Sequence, residues 1–335
     1  MEFKEMITQR YQQLLSRYLS ELTETSLYQG QKFSRKTIEQ QVPPEEIISI
    51  HRKVLSELYP DLPIQVFHSL DFLIEVMVGY GLAYQEHQTL RGIQQEIKSE
   101  IEIAANVQQT LLETTIPKDK TLDIGAISVP AKQMSGDYYH FVRDQDSINI
   151  AIADVIGKGI PAALCMSMIK YAMDSLPDSG SHPSQVLRSL NRVVEQNVDS
   201  NMFITMFYGN YHLQHHLFKF ASAGHEPGFY YCSSERKFYD LLAKGLVLGI
   251  SSDYDYKQYK QKLHVGDMII LFSDGVTESR KDSGFLERSD LKKLIALHMS
   301  EPAQQMVENI YESLLKLQDF KLHDDFTLII LRRKV

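Results

Sequence analysis

The sequence has few of the features that mark several large classes of protein. Only two of its 335 residues are cysteine, and neither Cys165 nor Cys232 lies in a CxxC pair or another ligand-spaced cluster. A disulfide framework or a thiolate zinc site is therefore not expected, and a reducing cytoplasm is the expected location. No stretch of about 18 apolar residues is seen, and the first residues lack the pattern of a signal peptide. We expect a cytoplasmic protein with no membrane span.

Motifs of several common enzyme families are missing as well. Gly157-Lys158-Gly159 lacks the Ser or Thr that completes a phosphate-binding P-loop, and no GxSxG elbow exists. Serine-nucleophile chemistry is therefore not expected. The formal net charge of -8 argues against the nucleic acid backbone as the main partner.

The first part of the chain has a helical pattern. At 335 residues the chain exceeds the usual size of one core, so we expect more than one domain. Residues 1–84 carry apolar side chains at helical spacing, with breaks at Pro43-Pro44 and between Pro60 and Pro63. These features predict a small all-helical domain, to which the resemblance described below assigns a regulatory, partner-binding role.

Residues 85–118 are predicted to form a helical linker with a short heptad pattern. Four residues recur every seven positions, Ile93 and Val107 fit the companion positions, and Glu100 interrupts them. Two interpretations remain open: a short coiled coil that joins two subunits, or an amphipathic helix that lies on its own chain. The four recurring residues are Leu90, Ile97, Ala104 and Leu111.

From residue 119 to residue 335 the pattern changes to strands interrupted by pairs of helices. This order predicts an α+β layered domain with mainly antiparallel sheets. The predicted strands are 122–129, 138–142, 147–153, 203–213, 216–221, 229–231, 238–241, 267–272 and 326–331. The predicted helices are 160–176, 183–198, 289–298 and 302–317.

Five aspartates lie at the ends of apolar runs in this domain. Taken singly, each has an ordinary explanation, because Gly-Asp and Asp-Gly pairs occur in turns and adjacent acids occur on solvated surfaces. Taken together, they predict an all-oxygen site for magnesium or manganese at one rim of the sheets. Two such ions about 3.5 to 4 Å apart activate water for attack on a phosphate ester. The five are Asp137, Asp154, Asp274, Asp324 and Asp325.

Two further residues have both an ordinary and a functional interpretation. His225 is flanked by Gly224 and Pro227, which favours a histidine that bonds to the backbone over an acid or a ligand. Lys158 lies in a glycine-rich loop, where it is either an exposed lysine or a group that holds phosphate. For both His225 and Lys158, the residues alone do not decide between the ordinary and the functional interpretation.

Five separated segments resemble those of the SpoIIE-type phosphatases of the metal-dependent PPM family, and the resemblance covers residues 120–332. With its helical front part, the chain is similar to the branch that acts in the general stress response of bacilli. The resemblance implies a PPM-type α-β-β-α sandwich and a protein serine phosphatase. The segments are SGDYY at 135–139, DVIGKG at 154–159, SAGHEP at 222–227, FSDGVTE at 272–278 and DDFT at 324–327.

The resemblance also implies roles for individual residues. Asp154 would bridge two manganese or magnesium ions with the carbonyl of Val155 as a further ligand, and Asp274 and Asp324 would hold one ion. Asp137 would be a ligand or hold a coordinated water. Asp325 would support the ligands or exchange roles with Asp324. Asp154 and Asp274 are thus the expected catalytic residues.

The resemblance implies partners as well, and it has gaps. The substrate would be a phosphorylated anti-anti-sigma protein, a kinase-like activator would bind the N-terminal domain, and the chain would form a homodimer. Eukaryotic members carry a histidine where Ile156 stands, so the proton donor is not identified. No equivalent of their phosphate-holding arginine is found.

Two other functions compete with this hypothesis. In the first, a PPM-like domain would bind phosphorylated partners as a scaffold and would not hydrolyse them. The complete set of aspartates disfavours this interpretation. A two-metal nuclease would use similar carboxylates, but it conflicts with the acidic balance and with the lack of interleaved basic and aromatic residues.

Overall fold

The computed structural model describes residues 2–156, 159–175, 182–198, 202–281 and 284–335. The chain forms two compact units, residues 1–99 and residues 100–335. Their common boundary lies inside one long helix, Ile64–Leu112. The boundary predicted at residue 84 therefore lies within a continuous helix, and the division of the chain at that residue stays a prediction.

The first unit is helical. It contains α1 (Glu2–Glu21), α2 (Glu24–Glu39), α3 (Pro44–Leu58) and the first part of α4 (Ile64–Leu112). The start of α2 is capped by Thr23, whose side chain accepts a hydrogen bond from the Ser26 N–H. Proline at the first position of α3, followed by two acidic residues, matches the preferences of a helix N-terminus. A small core of Ile7, Ile50 and Val54 holds these helices together.

Helix α4 has more exposed apolar surface than is usual for a soluble helix. It contains an 18-residue window with a mean hydropathy of 1.4, of which 11% is buried. Among the described residues, this one helix is long and apolar enough to cross a membrane by length and composition alone, which is weak evidence for a span. The expectation that no such stretch exists needs this correction.

The second unit contains two five-stranded antiparallel sheets and a small hairpin. The first sheet has the order β1-β12-β9-β6-β7, and the second has the order β2-β3-β4-β5-β8. The first comprises β1 (Leu122–Val129), β6 (Phe229–Cys232), β7 (Lys237–Asp240), β9 (Met268–Phe272) and β12 (Phe326–Arg333). The second comprises β2 (Asp137–Arg143), β3 (Ser147–Val155), β4 (Ile204–His212), β5 (Leu217–Ala223) and β8 (Tyr259–Lys262). The hairpin is β10 (Arg280–Lys281) with β11 (Gly284–Phe285).

Helices cover the outer face of each sheet, so the unit is the expected α-β-β-α sandwich. One core joins the second sheet to α5 (Ile160–Asp174) and α6 (Pro183–Asn197). Another joins the first sheet to α8 (Arg288–His298) and α9 (Ala303–Leu317). A third core lies between the two sheets, where alternate residues of the strands meet. The fold class predicted from the sequence is confirmed.

Candidate metal centre

The five aspartates come together at one end of the sandwich because of the strand pairing. Asp137 begins β2 and is the register partner of Asp154, near the end of β3. Asp274 begins the short helix α7 (Asp274–Thr277), just after β9. Asp324 and Asp325 directly precede β12, whose first residues pair with the end of β9. Antiparallel pairing thus places the end of one strand beside the start of its neighbour in both sheets.

Four of the five aspartates line a single cavity of about 540 Å³. They are Asp154, Asp274, Asp324 and Asp325; Asp137 lies deeper and is only 4% exposed. The other lining residues are Ile101, Ala131, Lys132, Gln133, Met134, Gly136, Val155, Ile156, Gly159, Ile160, Pro161 and His323. The cavity therefore combines a carboxylate floor with an apolar wall and a basic residue.

Gly136 allows backbone to approach the oxygen donors of β3 closely. A Cβ added at this position would lie 3.4 Å from Asp154 Oδ1 and 3.4 Å from the carbonyl oxygen of Val155. It would also lie 3.6 Å from Asp325 Oδ2. Gly136 thus lies close to Asp154 and to the Val155 carbonyl, the two oxygen donors that the resemblance names as the bridging ligand and a further ligand.

Asp137 is a buried acid that links the two sheets. Burial raises the pKa of its carboxyl group well above the usual range, and the charges of Asp154 and Asp325 raise it further. Hydrogen bonds with Ser273 and Thr327 act in the opposite direction. Its Oδ2 is buried without a hydrogen-bond partner. A buried, unpaired carboxylate oxygen among other carboxylates is the type of acceptor that a hard cation or its water satisfies.

Asp274 and Asp324 form the other part of the site. Burial raises the pKa of Asp274, and the charges of Glu278 and Asp324 add to this effect. Gly275 packs directly on the backbone of Asp324 and Asp325. Among the residues that the structure describes, no three His, Cys, Asp or Glu side chains already form a cluster that would hold an ion. The sharing of ions among Asp154, Asp274 and Asp324 therefore stays a prediction.

Asp325 holds a loop in place. Its carboxylate accepts hydrogen bonds from the Ala131 N–H at 2.7 Å and from the Gly136 N–H at 2.6 Å. The Ser135 hydroxyl donates a further bond at 3.2 Å. These donors occupy both oxygens of Asp325, whereas the sequence left open whether Asp324 or Asp325 is the direct ligand. The contacts favour Asp325 as the residue that fixes loop 131–136.

His225 is placed as the structural interpretation expected. Its side chain is 6% exposed and does not line the cavity. Nδ1 lies 3.0 Å from the hydroxyl of Thr205, which is the register partner of Asp154. Burial lowers the pKa of His225 to about 4, so the imidazole is neutral near pH 7. The hydrogen bond therefore joins the segment that follows β5 to β4, the strand that pairs with β3.

The positively charged residue of the cavity is one that sequence reasoning missed. Lys158, considered above as a group that holds phosphate, lies outside the described residues, as does Gly157. Within the described ranges, Lys132 lines the cavity and has an exposed side chain, as does His323. The available signal was the position of Lys132 only five residues before Asp137, in a segment interpreted as a connection between strands.

Comparisons with known proteins agree with this geometry. The family model for stage II sporulation protein E (SpoIIE) matches residues 144–334, and the model for the N-terminal domain of phosphoserine phosphatase RsbU matches residues 9–83. Phosphoserine phosphatase RsbU of Bacillus subtilis is 79% identical over 335 residues, which is 100% of both chains. This level of identity over the full length of both chains shows the family.

Solved structures agree on the fold. The SiaA-PP2C domain of Pseudomonas aeruginosa has a TM-score of 0.62 and 20% identity, covering 72% of this chain and 98% of its own. The RsbU and RsbW domains of a Mycobacterium tuberculosis protein have a TM-score of 0.57 and 23% identity, covering 67% of this chain and 62% of theirs. At these identities the likeness concerns the fold alone. From the family model and the full-length relative, we conclude that the chain belongs to the SpoIIE-type family of serine phosphatases.

Proposed function

We propose that the chain removes phosphate from a phosphoserine of an anti-anti-sigma protein, with two manganese or magnesium ions as cofactors. The observation that carries the proposal is the single cavity lined by Asp154, Asp274 and Asp324, all of which come from different parts of the chain. Oxygen donors of this type favour hard divalent cations over zinc. The name of the 79% identical relative supports phosphoserine as the substrate class.

The residues around the cavity have distinct tasks in this proposal. Asp154 would hold both ions, with the Val155 carbonyl as a further ligand, and Asp274 and Asp324 would hold one of them. When bound, the ions would neutralise phosphoryl oxygens and lower the pKa of a water. The burial-raised pKa of Asp274 is consistent with this, because the charge of a carboxylate in such surroundings is stabilised by a cation.

The substrate phosphate needs a positive group as well as the cations. Of the lysines that the structure describes, Lys132 lines the cavity, and its ammonium group would attract the phosphate dianion. The apolar side chains of Ile156 and Ile160 form part of the same wall. They would limit access of bulk water on that side, since apolar surface does not compete for the phosphoryl oxygens.

The central test compares two acidic residues of the full chain. Asp154→Asn should abolish manganese-dependent release of phosphate from a phosphoserine protein, because the amide removes the charge that holds the ions. Asp253→Asn changes an exposed aspartate and should leave the rate unchanged. Both variants should unfold like the parent chain. Normal turnover by folded Asp154→Asn would reject the site, and manganese binding without any turnover in the parent would favour the scaffold.

We further propose that the chain is a homodimer whose α4 helices pair, and that a kinase-like activator bound to residues 1–84 stabilises this pairing. The apolar residues of the heptad pattern support it, because five of them are 47–53% exposed: Leu90, Ile93, Ile97, Val107 and Leu111. Ala104 is half-buried. The match of residues 9–83 to the RsbU N-terminal domain supports a regulatory role for this region.

Sedimentation of the full chain tests the pairing. Ile97→Lys places a charge in the exposed apolar pattern and should shift the population from dimer to monomer. Gln95→Lys adds the same charge on the opposite face of the helix and should not. Equal sedimentation of the two variants as dimers would refute pairing through this face.

The cytoplasmic location also stays a proposal. Cys165 and Cys232 are both buried and neither forms a disulfide, which suits a reducing compartment. Because α4 is apolar enough to cross a membrane by length and composition, cell fractionation is the direct test. Recovery of the chain in the membrane fraction after a high-salt wash would contradict a cytoplasmic location.

A further inference from the structure

Gln108 of α4 forms two hydrogen bonds with the backbone of a single residue, Ser135. Its Nε2 donates to the Ser135 carbonyl at 2.8 Å, and the Ser135 N–H donates to its Oε1 at 3.3 Å. The side chain is 6% exposed, whereas the neighbouring Gln109 is exposed. A buried amide that pairs with both the N–H and the C=O of one residue fixes the backbone of that residue in position, because leaving either group unpaired costs free energy.

The loop that Gln108 holds forms part of the metal site. Loop 131–136 contributes Lys132 and Gly136 to the cavity. The loop is held from the opposite side by Asp325, through the N–H groups of Ala131 and Gly136. It is thus fixed between α4 and an acid that lines the cavity. A displacement of Gln108 would therefore change where the loop lies relative to the carboxylates.

The last turns of α4 present two different faces. The face with Ile101, Ala105, Gln108 and Leu112 is buried or half-buried, and Leu112 packs against the core of the second sheet. The ammonium group of Lys170 donates to the Leu111 carbonyl at the end of the helix. The adjacent face, with Ile103, Val107 and Leu111 side chains, is exposed. One face is thus attached to the catalytic unit while the neighbouring face is open to a partner.

We propose that Gln108 is a positioning residue that transmits the position of α4 to loop 131–136 and so sets the affinity of the metal site. The inference rests on the proposed function, since it names a regulation of the same site. The physical basis is direct: Gln108 is buried, both polar atoms of its amide bind the loop, and the loop binds Asp325. A residue that acts in this way behaves like the outer partners of metal ligands, whose loss typically weakens metal binding.

The experiment compares neighbouring glutamines in the full chain. Gln108→Met keeps the length of the side chain and its helix propensity while it removes both hydrogen bonds. Gln109→Met makes the same change at an exposed position. Hydrogen exchange of a peptide that covers residues 131–136, measured without metal, should become about tenfold faster in Gln108→Met only. The manganese dissociation constant, measured by calorimetry, should increase on the order of tenfold.

A second variant separates the two hydrogen bonds. Gln108→Glu keeps an acceptor for the Ser135 N–H and loses the donor to the Ser135 carbonyl, so it should also raise the exchange rate and the dissociation constant. Unchanged exchange and unchanged manganese affinity in a folded Gln108 variant would overturn the inference. Absence of phosphatase activity in the parent chain would refute the proposed function alone, because neither exchange nor calorimetry depends on turnover.

Discussion

Gly275 is the position where one added carbon tests the architecture of the site most sharply. A Cβ at this residue would lie 2.0 Å from the carbonyl oxygen of Asp325 and 3.4 Å from the carbonyl carbon of Asp324. Gly275 is not among the glycines with positive φ, so alanine meets no conformational penalty there. The clash is with backbone, which moves less readily than a side chain. Gly275→Ala must therefore push Asp274 away from the Asp324-Asp325 segment.

The expected cost follows from the size of the overlap. Overpacking a closely packed site by one methyl group typically costs about 1–3 kcal/mol. In a unit of this size, that corresponds to a decrease in melting temperature of roughly 2–10 °C. The displaced carboxylates should also weaken manganese binding on the order of ten- to a hundredfold. Both effects have one cause, so they should occur together.

Thermal unfolding and calorimetric titration with manganese measure the two effects on the full chain. Gly92→Ala is the matched control, because no atom lies within 4 Å of the added carbon in the interior of α4. It should stabilise the helix by about 0.5–1 kcal/mol and leave manganese binding unchanged. A Gly275→Ala chain with the melting temperature and manganese affinity of the parent would refute the close contact between Gly275 and the Asp324-Asp325 segment.

Two further predictions concern charge. Burial holds the pKa of His225 at about 4, against 6.5 in a model peptide. Between these two pH values the unfolded chain binds more protons than the folded chain. The free energy of unfolding should therefore decrease as the pH falls from 6.5 to 4, by roughly 3 kcal/mol for this group. His225→Gln should flatten that part of the pH dependence of urea unfolding; an unchanged slope would contradict a neutral buried imidazole. Lys132→Ala should raise KM for a phosphoprotein about fivefold without changing the melting temperature, whereas Lys120→Ala, at another exposed lysine, should leave KM unchanged. Equal KM values for both lysine variants would remove Lys132 from phosphate binding.

Helices and strands of the second unit could be predicted from the sequence where their hydrophobic periodicity is a local signal. The predicted strand 122–129 coincides with β1, and the predicted helix 302–317 differs from α9 by one residue at its start. The edge strand β8 was missed, because its sequence YKQK has no apolar alternation. The short helix α7 was missed as well, since four residues give no helical period.

The long helix α4 shows where local signals are insufficient. Gly79, Gly81 and Gly92 lie inside it, although glycine in a helix interior costs about 1 kcal/mol relative to alanine. No proline follows Pro63 until Pro117, so nothing in this segment forces the helix to end. A break near residue 84 was inferred from a change in pattern rather than from a stop signal.

For the candidate metal centre, the sequence predicted the carboxylates but not the groups around them. Aspartates at strand ends are recognisable, since antiparallel pairing brings such ends together. The hydrogen bonds between Gln108 and Ser135, and the placement of Lys132 in the same cavity as Asp154, depend on tertiary contacts between segments that no local pattern relates. The sequence left open whether Asp324 or Asp325 is the direct ligand. Only the three-dimensional structure shows the backbone N–H groups of Ala131 and Gly136 that donate to Asp325 and favour its role in holding the loop.

Diffraction from crystals of the full chain soaked in manganese, recorded at the manganese absorption edge, is the most direct test of the proposed site. We expect two anomalous peaks about 3.5 to 4 Å apart, bounded by the carboxylates of Asp154, Asp274 and Asp324. Manganese bound elsewhere on the chain, with these three carboxylates left without a shared peak, would contradict the proposal that they hold the catalytic ions.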